Sequence, residues 1–418
     1  MTGPSGILPP QPWMRDPRTQ AVMAALAAGG APARYVGGCV RDAVAGRPVK
    51  DVDIATPLPP DRVLALVETA GLKAVPTGIA HGTVTAVSGG RPYEITTLRR
   101  DVDTDGRHAT VAFTDDWEAD AARRDLTFNA LFMDPDGRLY DFFGGLADLE
   151  AGRVRFIGDP RQRLCEDVLR LLRFFRFLAW YGKEPPAPDQ LAACRDMASA
   201  LPRLSGERVQ AETLRLLEAP DPAAVWRLMQ GEGVVGHVLA DATDAKRLDR
   251  LVRLDHALGL PGDAILRLAA LLPRDPDVAL AVAARLKLSN AHRDRLVRCA
   301  APPTGVRLEA DERDRRRALH HLGSDAYTDL ARLAAADETI PPAEAPPANA
   351  LRAALAAAAD WTPMVFPLKG KDALARGVPP GPEVGRLLGI VERWWEERDY
   401  RPDRAACLSE LERRIAAG

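Results

Sequence analysis

Two short motifs near the start of the chain combine residue types that bind phosphate and divalent metal. Gly37 and Gly38 follow an apolar pair and precede a helix-forming stretch, so backbone N–H groups there can turn toward a bound anion. Asp51 and Asp53 follow in a run where acidic and apolar residues alternate. This period of two predicts a β-strand with both carboxylates on one face, which suits hard divalent cations that keep water and phosphate as further ligands. A phosphate cradle facing a carboxylate pair is what phosphoryl or nucleotidyl transfer requires.

Each motif alone has an ordinary structural explanation, because glycine pairs form turns and Asp-x-Asp occurs on solvated strand faces. In this order and spacing the two are far more specific. Residues 36–42 and 50–56 together resemble the head motif of the tRNA nucleotidyltransferase/poly(A) polymerase family, in the bacterial and eukaryotic class of CCA-adding enzymes. The resemblance implies two Mg²⁺ ions held by Asp51 and Asp53, and triphosphate contacts from the two glycines and Arg41.

A third carboxylate, Glu94, lies in a strand-forming stretch at residues 93–98. Taken alone, it is as consistent with an exposed strand glutamate as with a metal ligand. Its Glu-Ile-Thr-Thr-x-Arg pattern resembles the family strand that supplies a third carboxylate, which implies that Glu94 assists the aspartate pair. Residues 105–108 resemble a flexible family loop linked to addition of the final A, with Ala109 where proline is usual.

Paired arginines occur in a further stretch, residues 122–131, which predicts the start of an apolar helix or strand. Guanidinium groups at the start of such an element either lie in solvent or bind phosphate and ribose through their paired N–H donors. The string Arg-Arg-Asp-Leu-Thr-x-Asn-Ala resembles a nucleotide-site motif of the family. It implies that Arg124, Asp125 and Asn129 belong to the nucleotide site.

Residues 164–181 have high helix propensity and are apolar nearly all round, which predicts a buried helix. Charges nevertheless recur at three-residue steps, so Asp167 and Arg170 are predicted to share a face while Arg176 lies nearly opposite Asp167. One explanation is an ion pair within the helix; the other is a cleft that contacts nucleotide and RNA, since unpaired charges in an apolar helix are costly. Seven arginines against three acids in residues 151–180 favour the cleft.

The pattern Glu-Asp-x-x-Arg-x-x-Arg-x-x-Arg-Phe in this segment resembles the neck helix of the CCA-adding class. In that family an aspartate and an arginine on this helix read the base edge of the incoming nucleotide without a nucleic-acid template. The resemblance assigns this role to Asp167 and Arg170, with Arg173 and Arg176 as accompanying arginines. A carboxylate accepts from the exocyclic amine of cytosine or adenine, and an arginine donates to a ring acceptor.

The composition is that of an ordinary globular protein, with 418 residues, 46% hydrophobic and 27% charged. The net charge of −2 means that any positive charge that contacts RNA is local. Five scattered cysteines without a Cys-x-x-Cys pair argue against a zinc site or a disulfide framework and favour a reducing cytoplasm. No uncharged apolar run reaches about 18 residues, so we expect no membrane span. The N-terminus contains prolines and no apolar core run, so we expect no signal peptide.

The order of the predicted elements indicates an α+β protein. A small mixed sheet forms the nucleotidyltransferase head, and an all-helical neck, body and tail follow. The expected boundaries are residues 1–150 for the catalytic head, 151–215 for the neck that selects the nucleotide, 216–345 for the body and 346–418 for the tail that binds tRNA.

The resemblance implies an enzyme that transfers CMP, CMP and AMP from CTP and ATP to the 3′ end of tRNA and releases pyrophosphate. A poly(A) polymerase or a CC-only enzyme on the same scaffold is the nearest alternative, and a catalytically silent RNA-binding protein is the remote one. The intact Asp-x-Asp, both arginine motifs and the base-reading pair argue against the remote alternative. We expect a monomer or homodimer.

Overall fold

The computed structural model describes residues 3–104, 109–337 and 346–417, so the loop motif at residues 105–108 lies outside the described residues. The chain divides into two compact units, Met1–Ala240 and Asp241–Gly418. Within the described residues, the first unit holds all the strands and the second is helical, which confirms the α+β fold class. The finer division into head, neck, body and tail stays a prediction.

A mixed sheet forms the centre of the first unit. Its strands and those of a small ribbon are β1 (Gly6–Ile7), β2 (Arg34–Val36), β3 (Asp53–Thr56), β4 (Lys73–Gly78), β5 (Thr83–Ser88), β6 (Arg91–Thr97), β7 (Arg99–Thr104), β8 (Ala109–Phe113), β9 (Phe132–Met133) and β10 (Arg138–Tyr140). Eight of them form one sheet in the order β1-β10-β9-β2-β3-β6-β5-β4, and β7 pairs with β8 separately. Within the large sheet, β3 and β6 are parallel neighbours.

Helices pack on both faces of this sheet and continue beyond it. They are α1 (Pro17–Ala27), α2 (Gly38–Val44), α3 (Pro60–Thr69), α4 (Trp117–Ala122), α5 (Gly145–Ala151), α6 (Pro160–Glu166), α7 (Leu169–Tyr181), α8 (Pro188–Met197), α9 (Gly206–Leu217), α10 (Pro222–Gly231) and α11 (Val235–Val238). Val22 of α1, Val40 of α2 and Val63 of α3 pack with Ile54 and Ile95 of the sheet in one buried core. Since side chains alternate along a strand, the residues next to these isoleucines face the other side.

The structure confirms the strand predicted at residues 93–98, which it places at Arg91–Thr97. The prediction for residues 122–131 is wrong, because the stretch after α4 is a loop with one turn of 3₁₀ helix at Thr127–Asn129.

The predicted helix at residues 164–181 is also wrong as one element. It is broken between α6 and α7 at Asp167, whose φ of −155° and ψ of 106° are extended. Asp167 Oδ1 accepts a hydrogen bond from the backbone N–H of Leu169 at 3.1 Å. Such side-chain bonds to the backbone compete with helical hydrogen bonds, which explains the break.

Helices make up the second unit in the described residues. They are α12 (Ala245–Leu258), α13 (Ala264–Leu271), α14 (Pro276–Arg285), α15 (Asn290–Ala300), α16 (Glu312–Asp337), α17 (Pro346–Ala359), α18 (Gly370–Leu374), α19 (Pro382–Glu397) and α20 (Arg404–Ala416). α16 bends at Gly323, whose φ of 75° and ψ of 165° are not helical. A buried ion pair of 2.6 Å between Asp255 and Arg332 joins α12 to α16. Across the described ranges, no helix combines the length and apolar character needed to cross a membrane.

Candidate active site

The glycine pair lies where the chain turns sharply between β2 and α2. Gly37 has φ 68° and ψ −122°, a backbone conformation that residues with a Cβ rarely adopt, and Gly38 begins α2 as predicted. A Cβ at Gly37 would lie 3.4 Å from Arg124 Nη1, and one at Gly38 would lie 3.7 Å from Arg41 Nη2. Two guanidinium groups therefore converge on the glycine turn.

The acidic residues converge at the start of β3. Asp53 is the first residue of β3 and lies directly opposite Glu94 on the parallel strand β6. Ile54 and Ile95, the next residue on each strand, are buried in the core, so Asp53 and Glu94 both point to the opposite face. Asp51 precedes the strand, so the prediction that both aspartates lie on one strand is wrong. Its charge nevertheless reaches the Asp53 carboxylate.

Burial and the negative charges of Glu94 and Asp51 together raise the pKa of Asp53 to about 6, although the Arg124 and Arg41 guanidinium groups oppose the rise. Carboxylates that repel one another in this way are stabilised by a divalent cation. In the part of the chain that the structure describes, no three His, Cys, Asp or Glu side chains are placed to hold a metal ion together. Asp51 and Asp53 stay a predicted metal pair, whose chemistry suits a hard divalent cation that takes its remaining ligands from water and phosphate.

Four of the predicted nucleotide-site residues form one buried relay of hydrogen bonds. Arg41 Nη1 donates to Asn129 Oδ1 at 2.7 Å, and Asn129 Nδ2 donates to Asp125 Oδ1 at 3.0 Å. Arg173 Nε donates to Asp125 Oδ2 at 2.7 Å. Burial tends to raise the pKa of Asp125, but the Arg173 guanidinium outweighs it and holds that pKa below its usual range. Asn129 and Asp125 are 6% and 8% exposed, so they position the two arginines.

Glu212 on α9, which sequence reasoning did not assign to the site, extends the relay. It is 4% exposed and accepts from Arg176 Nε at 2.5 Å, while its other oxygen lies 3.8 Å from Arg173 Nη1. Buried arginines require such partners. The sequence does contain a sign of this role, because the spacing of Glu212 from Val209 and Leu216 places an acidic residue on the apolar face of the helix.

Asp120 on α4 is a second buried carboxylate that the motifs did not reveal. It is 1% exposed, and it accepts from Arg124 Nη2 at 3.0 Å and from Arg123 Nε at 2.9 Å. Burial tends to raise the pKa of Asp120, but these two guanidinium groups outweigh it and lower that pKa. Asp120 thereby fixes Arg124 beside the glycine turn.

Asp167 and Arg170 do not form the pair that helical spacing predicted. Asp167 lies in the break between α6 and α7, and its Oδ2 accepts from Arg208 Nη2 of α9 at 2.7 Å. Arg170 pairs with Glu166 and donates from Nη2 to the backbone oxygen of Arg123 at 3.1 Å. The predicted shared helical face is therefore wrong, and α9 supplies the cation beside Asp167. The side chains of Asp167 and Arg208 are 36% and 46% exposed.

The arginine-rich segment at residues 151–180 is electrically compensated. Each of its seven arginines forms an ion pair. Seven arginines minus the three acids of the segment leave four positive charges. Four acids from elsewhere in the first unit offset them, namely Asp125, Asp148, Asp196 and Glu212.

Comparison with known families defines the class of protein. The family described as the Poly A polymerase head domain matches residues 33–155, the part of the chain that carries the glycine turn and the carboxylates. The family described as a probable RNA and SrmB-binding site of polymerase A matches residues 186–245. Fold and site together define a nucleotidyltransferase of the poly(A) polymerase class.

Individual relatives narrow this class. The mitochondrial CCA tRNA nucleotidyltransferase 1 of Danio rerio is 33% identical over 388 residues, which are 90% of this chain and 86% of the relative. The CCA-adding enzyme of Streptococcus gordonii is 42% identical over 201 residues, 48% of this chain and 49% of that enzyme. The crystal structure of the Bacillus stearothermophilus CCA-adding enzyme in complex with CTP superposes with a TM-score of 0.75 at 28% identity, covering 97% of this chain and 98% of that one. The chain belongs to the CCA tRNA nucleotidyltransferase family.

Proposed function

We propose that this chain adds CMP, CMP and AMP from CTP and ATP to the 3′ end of tRNA without a nucleic-acid template. The observation that carries the proposal is that Asp53 and Glu94 lie opposite each other while Arg41 and Arg124 converge on the glycine turn. Nucleotidyl transfer needs carboxylates for metal next to cations for the triphosphate. The likeness over 90% of the chain to a relative named for CCA addition supports this reaction over poly(A) synthesis.

Arg41 and Arg124 bind the triphosphate in this proposal. Asn129 orients the first arginine and Asp120 the second, so little side-chain freedom is lost when phosphate binds. The absence of a Cβ at Gly37 leaves space for a phosphate oxygen close to the Arg124 guanidinium, and the absence of one at Gly38 does the same beside Arg41.

Enzymes of this family depend in general on divalent metal ions. We propose that Asp51 and Asp53 hold two Mg²⁺ ions, with Glu94 assisting. Bound Mg²⁺ lowers the pKa of the RNA 3′-hydroxyl and offsets negative charge at the reacting phosphate. With a pKa of about 6, the Asp53 carboxyl is ionised and ready to bind a cation at pH 8.

Asp167 and Arg170 read the base edge in this proposal, after Asp167 leaves Arg208 and Arg170 leaves Glu166. The amine of cytosine or adenine then replaces a guanidinium as the donor to the Asp167 carboxylate. UTP and GTP lack this amine at the matching position, so they leave the carboxylate unpaired and are rejected. Arg173 and Arg176 hold α7 in place through their buried acidic partners.

Incubation with tRNA that lacks its terminal CCA, Mg²⁺ and single labelled nucleotides tests the function. CTP alone should add two residues, and CTP with ATP should add three. A long adenylate tail from ATP alone would identify a poly(A) polymerase, and a stop after two cytidylates would identify a CC-only enzyme. Absence of all incorporation would contradict a catalytic role.

We further propose that the enzyme acts in the cytoplasm. All five cysteines are free thiols and four of them are buried, which fits a reducing compartment. Fractionation of the source cells with an antibody to the chain measures this directly, and recovery in an organelle would contradict it.

A further inference from the structure

A small basic pocket lies in the second unit, beside the start of α16, and contains none of the residues assigned to the reaction. Its volume is about 150 Å³. We name it the Tyr327 pocket, and its polar lining residues are Thr304, Arg307, Asp314, Arg315, Arg317 and Tyr327.

Two buried polar atoms of this lining, Tyr327 Oη and Arg315 Nε, form no well-aligned hydrogen bond with the described residues. The Arg315 guanidinium lies close enough to Tyr327 to act on the hydroxyl oxygen, which leaves the hydroxyl proton free to donate. Tyr327 is only 1% exposed. An unsatisfied buried polar group is destabilising, so two such donors beside one pocket favour a ligand that accepts hydrogen bonds from them. Arg315 Nη2 donates to the backbone oxygens of Leu308 and Ala310 at 3.4 and 3.3 Å. These bonds secure the adjoining loop and leave Nε unused.

The lining carries a formal charge of +2, from three arginines minus Asp314. Within the described ranges, Arg307 and Arg317 form no ion pair. Burial raises the pKa of Tyr327 although the Arg315 guanidinium opposes it, so the hydroxyl stays protonated at neutral pH and can donate. Guanidinium groups and a hydroxyl that all donate into one small space match the several acceptor oxygens of a phosphate.

We propose that the Tyr327 pocket binds a single phosphate group. Arg315 Nε and Tyr327 Oη are its buried donors, and the guanidinium groups of Arg307 and Arg317 offset its charge. The volume suits one small oxyanion, because pockets for drug-sized ligands measure about 300–1,000 Å³. The ligand is either inorganic phosphate or a phosphodiester of an RNA backbone, which present the same oxygens.

Titration calorimetry of the full chain with inorganic phosphate, in a buffer free of other oxyanions, tests the pocket. Wild type should bind phosphate saturably. Tyr327→Phe and Arg317→Gln should each raise the Kd for phosphate about 5-fold or more. Arg253→Gln is the matched control, because Arg253 is an exposed arginine on α12 that pairs with Asp249 at 3.0 Å. This control removes the same charge and should leave the Kd unchanged.

Tyr327→Phe removes one oxygen atom and keeps the ring, so the melting temperature without phosphate should not fall. A lower melting temperature with an unchanged phosphate Kd would make the hydroxyl structural and overturn the proposal. Equal Kd values in all four proteins, or no saturable binding by wild type, would overturn it as well.

Competition identifies the source of the phosphate. If tRNA displaces phosphate and Tyr327→Phe weakens tRNA binding, the ligand is an RNA phosphodiester; if tRNA and phosphate bind independently, it is free phosphate. The pocket is independent of the proposed reaction. Asp53→Asn, which should be inactive, should therefore retain the phosphate binding that Tyr327→Phe weakens.

Discussion

Arg173 on α7 donates from Nε to Asp125 Oδ2 at 2.7 Å, across 48 residues of chain. The bond ties the loop of the arginine motif to the helix that is proposed to read the base. Through Asn129 the same relay reaches Arg41 beside the glycine turn. The relay therefore joins the helix proposed to read the base to an arginine proposed to bind the triphosphate.

Replacement of Asp125 tests this relay. Asp125→Ala removes the nearer acidic partner of Arg173, whose side chain is 31% exposed, and leaves Glu212 at 3.8 Å, so the free energy of unfolding at neutral pH should fall by about 1–3 kcal/mol. The folded-state pKa of Asp125 is lowered, so its stabilisation is complete above the unfolded pKa and is lost as pH falls through the folded pKa. Urea unfolding should therefore show a smaller difference from wild type in acid. Asp136→Ala, which breaks the exposed pair with Arg138, should change stability by no more than about 1 kcal/mol. Equal losses in both variants would contradict the relay.

The metal assignment predicts opposite effects of Asp53→Asn on activity and stability. The variant should lose nucleotide addition, yet it should stabilise the metal-free protein at pH 8 by about 1–2 kcal/mol, allowing for partial exposure. The pKa of Asp53 is raised to about 6, so stability is fully present below its unfolded pKa and declines as pH rises through 6. Melting in EDTA at pH 5 and pH 8 should show the gain growing with pH. Addition of CMP at a near wild-type rate with Mg²⁺ present would refute the assignment, for Asp53→Asn and for Asp51→Ala alike.

Gly37 and Gly46 have nearly the same backbone φ, so their alanine variants distinguish the effect of backbone strain from that of crowding at the proposed phosphate site. Gly37 has φ 68°, and a Cβ there approaches Arg124; Gly46 has φ 66°, and nothing lies within 4 Å of a Cβ there. Both alanine variants should lose about 1–3 kcal/mol of stability through left-handed strain. Only Gly37→Ala should also raise the KM for both CTP and ATP, as measured by steady-state incorporation. The same KM in both variants would exclude the glycine turn from triphosphate binding.

Base choice should depend on Asp167. Asp167→Ala removes the acceptor for the amine shared by cytosine and adenine, so incorporation of UTP and GTP should rise relative to CTP and ATP. Its melting temperature should change little, because a partly exposed ion pair contributes only about 0–1 kcal/mol. Rates with all four nucleotides measure the effect. Arg195→Ala, which breaks the exposed pair with Glu232, is the control and should keep full selectivity. Preserved selectivity in Asp167→Ala would make the Asp167–Arg208 pair structural.

Binding of tRNA should weaken with salt despite the net charge of −2. Seven free arginines would give a log–log slope of about −6, at about 0.9 per phosphate neutralised. Because every arginine in residues 151–180 already has an acidic partner, we expect a clearly negative but shallower slope. The slope is measured from the affinity for tRNA across a series of salt concentrations. A flat response would exclude this segment from the RNA-binding surface.

The amino-acid sequence determined the family, the fold class and the glycine turn. These depend on local properties, since the backbone of Gly37 and the alternation around Ile54 follow from the residues themselves. The motifs identified the family for the same reason, because each motif consists of a few neighbouring residues.

Tertiary structure alone decided which charges far apart in the sequence meet. Asp125 with Arg173, Asp167 with Arg208 and Glu212 with Arg176 are 48, 41 and 36 residues apart, and the packing of α7 against α9 and the 122–131 loop selects each pair. The sequence does not distinguish a buried arginine from a solvated one, so the burial of each arginine and its acidic partner are decided by packing. The break at Asp167 belongs here too, because its bonds to Leu169 N–H and Arg208 outweigh a local preference for helix of a few tenths of a kcal/mol per residue.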